Sequence, residues 1–240
     1  MFLKKLTYTT WGLLVLAVTL TLVTLNNVKK ENEYDWTQQF EQEGKKNTLI
    51  LRKEIESLKR DVMGITSLFK SSKKITRSAF KAYTASLLDK NHFIRSFLWI
   101  PRIKQHKRPT IESQAQKEGL VNYQFTILNE ESTYITAPNK KEYFPIHYIE
   151  SHLENDSFLG FDASSQPTLL KLVNQARDSG KIVAANTRDV FNQDPKRMLI
   201  VFFSPVYEGE KIPKTVEDKK RSFMGVAVGM YKLDDMIKQT

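Results

Sequence analysis

The sequence contains no cysteine in its 240 residues. No disulfide can staple it, no thiolate can bind a metal, and no cysteine nucleophile is available. Histidine is scarce as well. The four present, His92, His106, His147 and His152, show no H-E-x-x-H or comparable ligand spacing. There is no G-x-S-x-G elbow, no Walker loop and no G-x-G-x-x-G turn. Many carboxylates exist, but no pair stands out for acid–base work. The reading is therefore of a segment with no catalytic residue, no metal site and no cofactor. Internal repeats and low-complexity tracts are also missing.

What is present is a basic, ordinarily apolar chain. The formal net charge is +10, with 40% apolar and 27% charged residues, enough to build a core. A basic excess can serve nucleic acid, an anionic membrane surface or acidic ligands. The lysines here are scattered over the chain, and the apolar N-terminus described next argues against nucleic acid.

Residues 6–28 form an apolar run, densest and free of charge from Trp11 to Leu25. A spanning helix needs roughly 20 mostly apolar residues, which this run just supplies. Its threonine hydroxyls can bond back within a helix. Lys4 and Lys5 precede it and favour a cytoplasmic N-terminus, residues 1–5. A cleaved signal peptide is the competing reading, but no A-x-A-like cleavage site follows. The expectation is an uncleaved transmembrane helix, with the remainder outside the cytoplasm at the plasma or inner membrane.

Beyond the run, residues 31–72 read as a long helix. Leu51, Ile55, Leu58, Val62, Ile65 and Phe69 alternate four and three apart, an a/d seam with charges between. Two readings stay open: a stalk that pairs with a second subunit to give a homodimer, or one amphipathic helix lying on its own domain. Gly44 and Gly64 weaken this helix. A second helix is predicted over 76–89, with Phe80, Tyr83, Leu87 and Leu88 inward.

After that helix the period changes. Strands are predicted at 93–103, 121–128, 143–149, 181–185, 198–207 and 223–232. Pro167 opens a helix that stops near Gly180, residues 208–221 read as a charged hairpin loop, and Leu233 starts a last helix. The fold class is α+β. Ending at Thr240 with no second span, the chain reads as a fragment of a longer membrane protein.

Several motifs, in order, carry a family resemblance. They are Phe97-Leu98-Trp99-Ile100-Pro101-Arg102, then Tyr143-Phe144-Pro145-Ile146-His147-Tyr148, then Asn155 and Leu159-Gly160-Phe161-Asp162 with Ser165 and Pro167. The helix ends in Ala176-Arg177-Asp178-Ser179-Gly180, and a strand ends in Ser204-Pro205-Val206-Tyr207. A charged loop with Thr215-Val216-Glu217 and Arg221 leads to Gly225-Val226-Ala227-Val228-Gly229. Over residues 76–239 the chain resembles the CHASE domain, the extracellular sensor module of many histidine kinases and nucleotide or diguanylate cyclases. The resemblance implies a long helix followed by two PAS-like α/β subdomains with antiparallel sheets, often as a dimer. It also implies an unknown small-molecule ligand and a cytoplasmic output domain, a diguanylate cyclase or a histidine kinase, past a second span. The best-known members are plant receptors for adenine-type hormones, and this sequence departs from their pattern at Ala184-Ala185-Asn186-Thr187.

The resemblance puts a ligand-contacting aspartate at Asp162 and a backbone contact near Ala184. Asp162 could equally cap its own Asp-Ala-Ser-Ser turn. Arg188 could fork a ligand carboxylate or pair with Asp189. Phe144, Tyr148, Phe203 and Tyr207 supply either pocket walls or plain core. Gly225 and Gly229 permit close approach of a neighbouring chain segment or of a ligand. The rival to a sensor is a dimerisation or protein-interaction module without a small ligand.

Overall fold

The structure, a computed structural model, describes residues 2–72, 75–151, 156–186, 198–209 and 211–238. It divides into two compact units, Met1–Arg52 and Lys53–Thr240.

The first unit is helical throughout its described residues, as part of α1 (Phe2–Ser71). Thr19 and Thr24 donate back to the carbonyls of Leu16 and Leu20, at 2.9 and 3.0 Å, as expected of threonines in an apolar helix. No helix among the described residues is long and apolar enough to cross a membrane, so the expected transmembrane helix is not found in the structure. Most side chains of the 6–28 run lie outside the described residues. Those described include Trp11, Leu16, Val18, Leu20 and Leu22, all exposed.

The second unit is built on a five-stranded antiparallel sheet of order β6-β1-β9-β8-β7. Its strands are β1 (Ile94–Pro101), β6 (Tyr148–Ser151), β7 (Val183–Asn186), β8 (Leu199–Tyr207) and β9 (Phe223–Lys232). The first and last strands lie side by side at the centre. Ile94 faces Tyr231, and the Lys232 N–H donates to the Phe93 carbonyl at 2.8 Å. β1, β8 and β9 are buried on both faces, so they read as near-continuous apolar runs instead of alternating ones.

One face carries Phe97, Trp99, Phe202, Ser204 and Tyr231. The end of α1 and α2 (Arg77–Lys90) cover it. Leu58, Val62 and Ile65 are fully buried here, and Phe69 stacks on Trp99 at 3.9 Å between ring centroids. Tyr231 donates its phenol to the Leu58 carbonyl at 3.0 Å. Of the two readings of the seam, lying on its own domain holds for Leu58 to Phe69. Burying each such side chain contributes on the order of 2 kcal/mol. Gly64 has a reason as well: a Cβ there would collide with the Tyr83 hydroxyl of α2. Thr76 caps α2 by accepting from the Ala79 N–H at 3.2 Å. Thr84, not Tyr83 or Leu87, joins Phe80 and Leu88 among the buried residues of α2.

The opposite face carries Leu98, Ile100, Val201, Phe203, Val226 and Val228, packed against Leu169, Val173 and Ala176 of α4 (Pro167–Ser179). This helix has the expected punctuation, with proline in its first turn and Gly180 in the left-handed region at φ 73°.

Residues 103–143 build a smaller cluster from Ile103, Ala115, Tyr123, Phe125, Ala137 and Tyr143. It holds α3 (Arg108–Lys117) and two short ladders, β2 (Ile103–Lys104) with β5 (Glu142–Tyr143) and β3 (Thr126–Leu128) with β4 (Tyr134–Thr136). Among the described residues, these ladders stand where a second PAS-like sheet was expected. The strand predicted over 121–128 shrinks to its last three residues. The charged loop holds an unforeseen helix, α5 (Val216–Ser222), capped by Thr215 accepting from the Asp218 N–H at 3.1 Å. The last helix is α6 (Leu233–Lys238).

Candidate functional site

The segment around Asp162 is wedged between two others. The Thr126 N–H donates to the Gly160 carbonyl and the Asp162 N–H to the Thr126 carbonyl, at 3.0 and 2.8 Å. On the other side, the Ile146 and Ala163 N–H groups donate to the carbonyls of Phe161 and Phe144, each at 2.9 Å. Gly160 makes the wedge possible. Its φ is 85°, and a Cβ there would run into the Gln124 backbone.

Asp162 is fully buried. Its Oδ1 accepts from the Phe144 N–H at 2.8 Å, the Ser164 N–H at 3.1 Å and the Ser164 hydroxyl at 2.7 Å. Its Oδ2 forms an ion pair with the Lys140 ammonium, which also donates to the Ser164 hydroxyl at 2.7 Å. The carboxylate is thus a turn cap and a clamp on the Phe144 backbone, and its charge is balanced internally. Lys140 keeps 30% of its side chain exposed, so the network reaches solvent through the lysine. Lys140 escaped the sequence reading because a lysine in an Asn-Lys-Lys loop looks like a solvated charge.

Phe144, Phe203 and Tyr207 lie in one cluster with Phe161, Ala163 and Phe223. None is more than 4% exposed, so they are core in this structure. Tyr207 donates its phenol to the Arg177 carbonyl at the end of α4. Burial pushes that phenol up to about 12.

The CHASE domain model matches residues 73–240. The chain belongs to the CHASE family. CHASE domains are extracellular sensor domains of membrane signalling receptors; they are sensory, not catalytic. A hybrid signal transduction histidine kinase A of Dictyostelium discoideum is 22% identical over 183 residues. That match covers 72% of this chain and 8% of the relative.

Other expected ligand contacts of the CHASE domain fall elsewhere. Tyr148 is not in the Phe144 cluster. It packs on Phe80 of α2 at 5.4 Å and donates its phenol to the Ile75 carbonyl at 2.8 Å. Ala184 is exposed on β7, an edge of the sheet. Arg188 lies outside the described residues. Gly225 serves strand packing: with φ at 149°, its missing Cβ leaves room for the Pro101 Cα and the Ile100 carbonyl of β1. A shallow depression on α4, lined by Pro167, Leu170, Lys171, Asn174, Gln175, Asp178 and Ser179, involves none of the expected residues.

A second polar cluster went unread in the sequence. His147 is buried, and its Nδ1 lies 2.9 Å from the Tyr123 hydroxyl. Desolvation, then the positive charge of Arg77, push His147 down to about 4, with Glu118 opposing. Burial likewise pushes Tyr148 up to about 12. The motif Ile146-His147-Tyr148 was visible, but its partners come from distant segments.

Proposed function

We propose that this chain is the extracytoplasmic ligand-sensing part of a transmembrane receptor, on the periplasmic or extracellular side of the plasma or inner membrane. The 6–28 run anchors it, and a second span and a cytoplasmic diguanylate cyclase or histidine kinase follow Thr240. The CHASE match carries this reading. The exposed Trp11, Leu16, Val18, Leu20 and Leu22 support the anchor, since such apolar helix surface suits a hydrocarbon environment. A small polar ligand reaches Asp162 by replacing Lys140, with Ser164 beside it. Ligand binding biases one of two arrangements of the sheet, and α1 carries the difference toward the membrane.

The filled cluster around Phe144, Phe203 and Tyr207 favours a second reading, an interaction module that acts through a protein partner or a homodimer. A thermal-shift screen of the detergent-held chain against purines, amino acids, organic acids and peptides separates the two, because a true ligand raises stability by mass action. A hit whose concentration dependence changes in Lys140→Met supports the sensor. A folded chain that responds to none of the pools moves the reading to a protein partner, and a hit indifferent to Lys140 takes the ligand away from Asp162.

A further inference from the structure

Arg77, Glu118, Tyr123, His147 and Tyr148 meet where the first turn of α2, the residue after α3 and the start of β6 come together. The Arg77 guanidinium lies over the Tyr148 ring, 4.9 Å from its centroid. Its Nε and Nη2 are both shielded from solvent, and neither has a hydrogen-bond partner among the described residues. These two nitrogens form one edge of the guanidinium, the fork that grips a carboxylate through two parallel hydrogen bonds. Buried donors left unmet are costly, so a fork held this way calls for an acceptor.

Glu118 does not supply it. Its Oε2 stands 3.6 Å from Arg77 Nε, close enough to balance charge and too far for a hydrogen bond. Its Oε1 accepts from the Gln114 amide at 3.0 Å. Both phenols of the cluster are committed, Tyr148 to the Ile75 carbonyl and Tyr123 to His147 Nδ1. The cluster therefore offers two unmet donors of positive charge and, beside them, a carboxylate oxygen of negative charge. Arg77 and Glu118 keep 24% and 28% of their side chains exposed, which opens the cluster to solvent on that side.

We propose that this cluster binds a small zwitterion, a compound with a carboxylate and an ammonium a few ångströms apart, of which an α-amino acid is the simplest. The carboxylate takes the Arg77 fork and the ammonium pairs with Glu118. A plain anion meets repulsion from Glu118, and a plain cation meets repulsion from Arg77. Only a ligand carrying both charges complements both side chains. The site shares no residue with the Asp162 network, so it stands or falls independently of the ligand route proposed there.

The test uses the 240-residue chain in detergent at constant ionic strength, with the melting midpoint followed against glycine, sodium acetate and methylammonium chloride. Glycine is expected to raise the midpoint saturably, acetate to act at least about tenfold more weakly, and methylammonium not to act. Arg77→Lys keeps the charge and loses the fork, and is expected to weaken the apparent affinity for glycine at least about tenfold. Glu118→Gln, on a side chain more than a quarter exposed, is the second handle should the lysine variant fail to fold. It is expected to bring glycine down to the level of acetate. A wild-type midpoint that none of the three probes moves overturns the proposal. So does a glycine response that survives Glu118→Gln unchanged, or one that acetate equals.

Discussion

The Thr66 hydroxyl of α1 lies 2.8 Å from the Ser204 hydroxyl of β8, and both residues are buried. Thr66 also reaches the Val62 carbonyl of its own helix at 3.1 Å. The two ends of this contact are therefore not equivalent. Ser204→Ala leaves Thr66 bonded within the helix and should cost about 1 kcal/mol. Thr66→Val strands the Ser204 hydroxyl in the core and should cost about 1–3 kcal/mol. Denaturant melts of the two single variants and the double variant check this. The double variant is expected to cost less than the sum of the singles.

Asp162→Ala removes the acceptor of two backbone N–H groups and one hydroxyl, and the counter-charge of Lys140. A loss of about 3–5 kcal/mol is expected, enough to unfold a marginal domain. Asp162→Asn keeps an acceptor oxygen and should fall between alanine and wild type. Circular dichroism melts give the ranking, and an alanine variant as stable as wild type would remove the turn-cap role.

Stability should depend on pH through His147. Its folded value, pushed down to about 4, lies below the ordinary histidine value. The unfolded chain therefore binds the proton first as pH falls. Stability is full above pH about 6.5 and declines toward pH about 4, by an amount on the order of 3 kcal/mol. Urea melts across this range should show a steeper loss in wild type than in His147→Gln, whose remaining slope belongs to the carboxylates.

Glycine replacements should diverge in sign. At Gly225 the left-handed φ and the β1 backbone oppose any side chain, so Gly225→Ala is expected to cost several kcal/mol. At Gly44, within α1, an added Cβ meets nothing within 4 Å. Gly44→Ala should gain about 0.5–1 kcal/mol of local helix stability, visible as slower amide exchange around residue 44.

The elements most legible in the sequence had local punctuation. Pro167 and Gly180 bracket α4, and the apolar run Phe223–Lys232 matches β9 end to end. The α5 helix was also marked, by Thr215 three residues before Asp218, but its charges read as loop. The a/d seam was visible while its partner was not, because an apolar stripe looks the same whether a second chain or its own sheet covers it. Leu58, Val62, Ile65 and Phe69 are taken up within the domain, and a pairing of two chains would have to use other positions. At the candidate site the aspartate was legible. Its lysine was not, and neither was the Arg77 cluster, because both depend on contacts between segments far apart in sequence.

The pairing of β1 with β9 has a mechanical side. The chain enters the sheet after Phe93 and leaves it at Lys232, and those two residues share one hydrogen bond. A pull applied between α2 and α6 would load the two central strands at the same end. The ladder would then open like a zipper, one bond at a time from that end, and would not resist as a block in shear. Such a joint yields at low force, so tension arriving from either side of the sensor would be felt first at the Phe93–Lys232 bond.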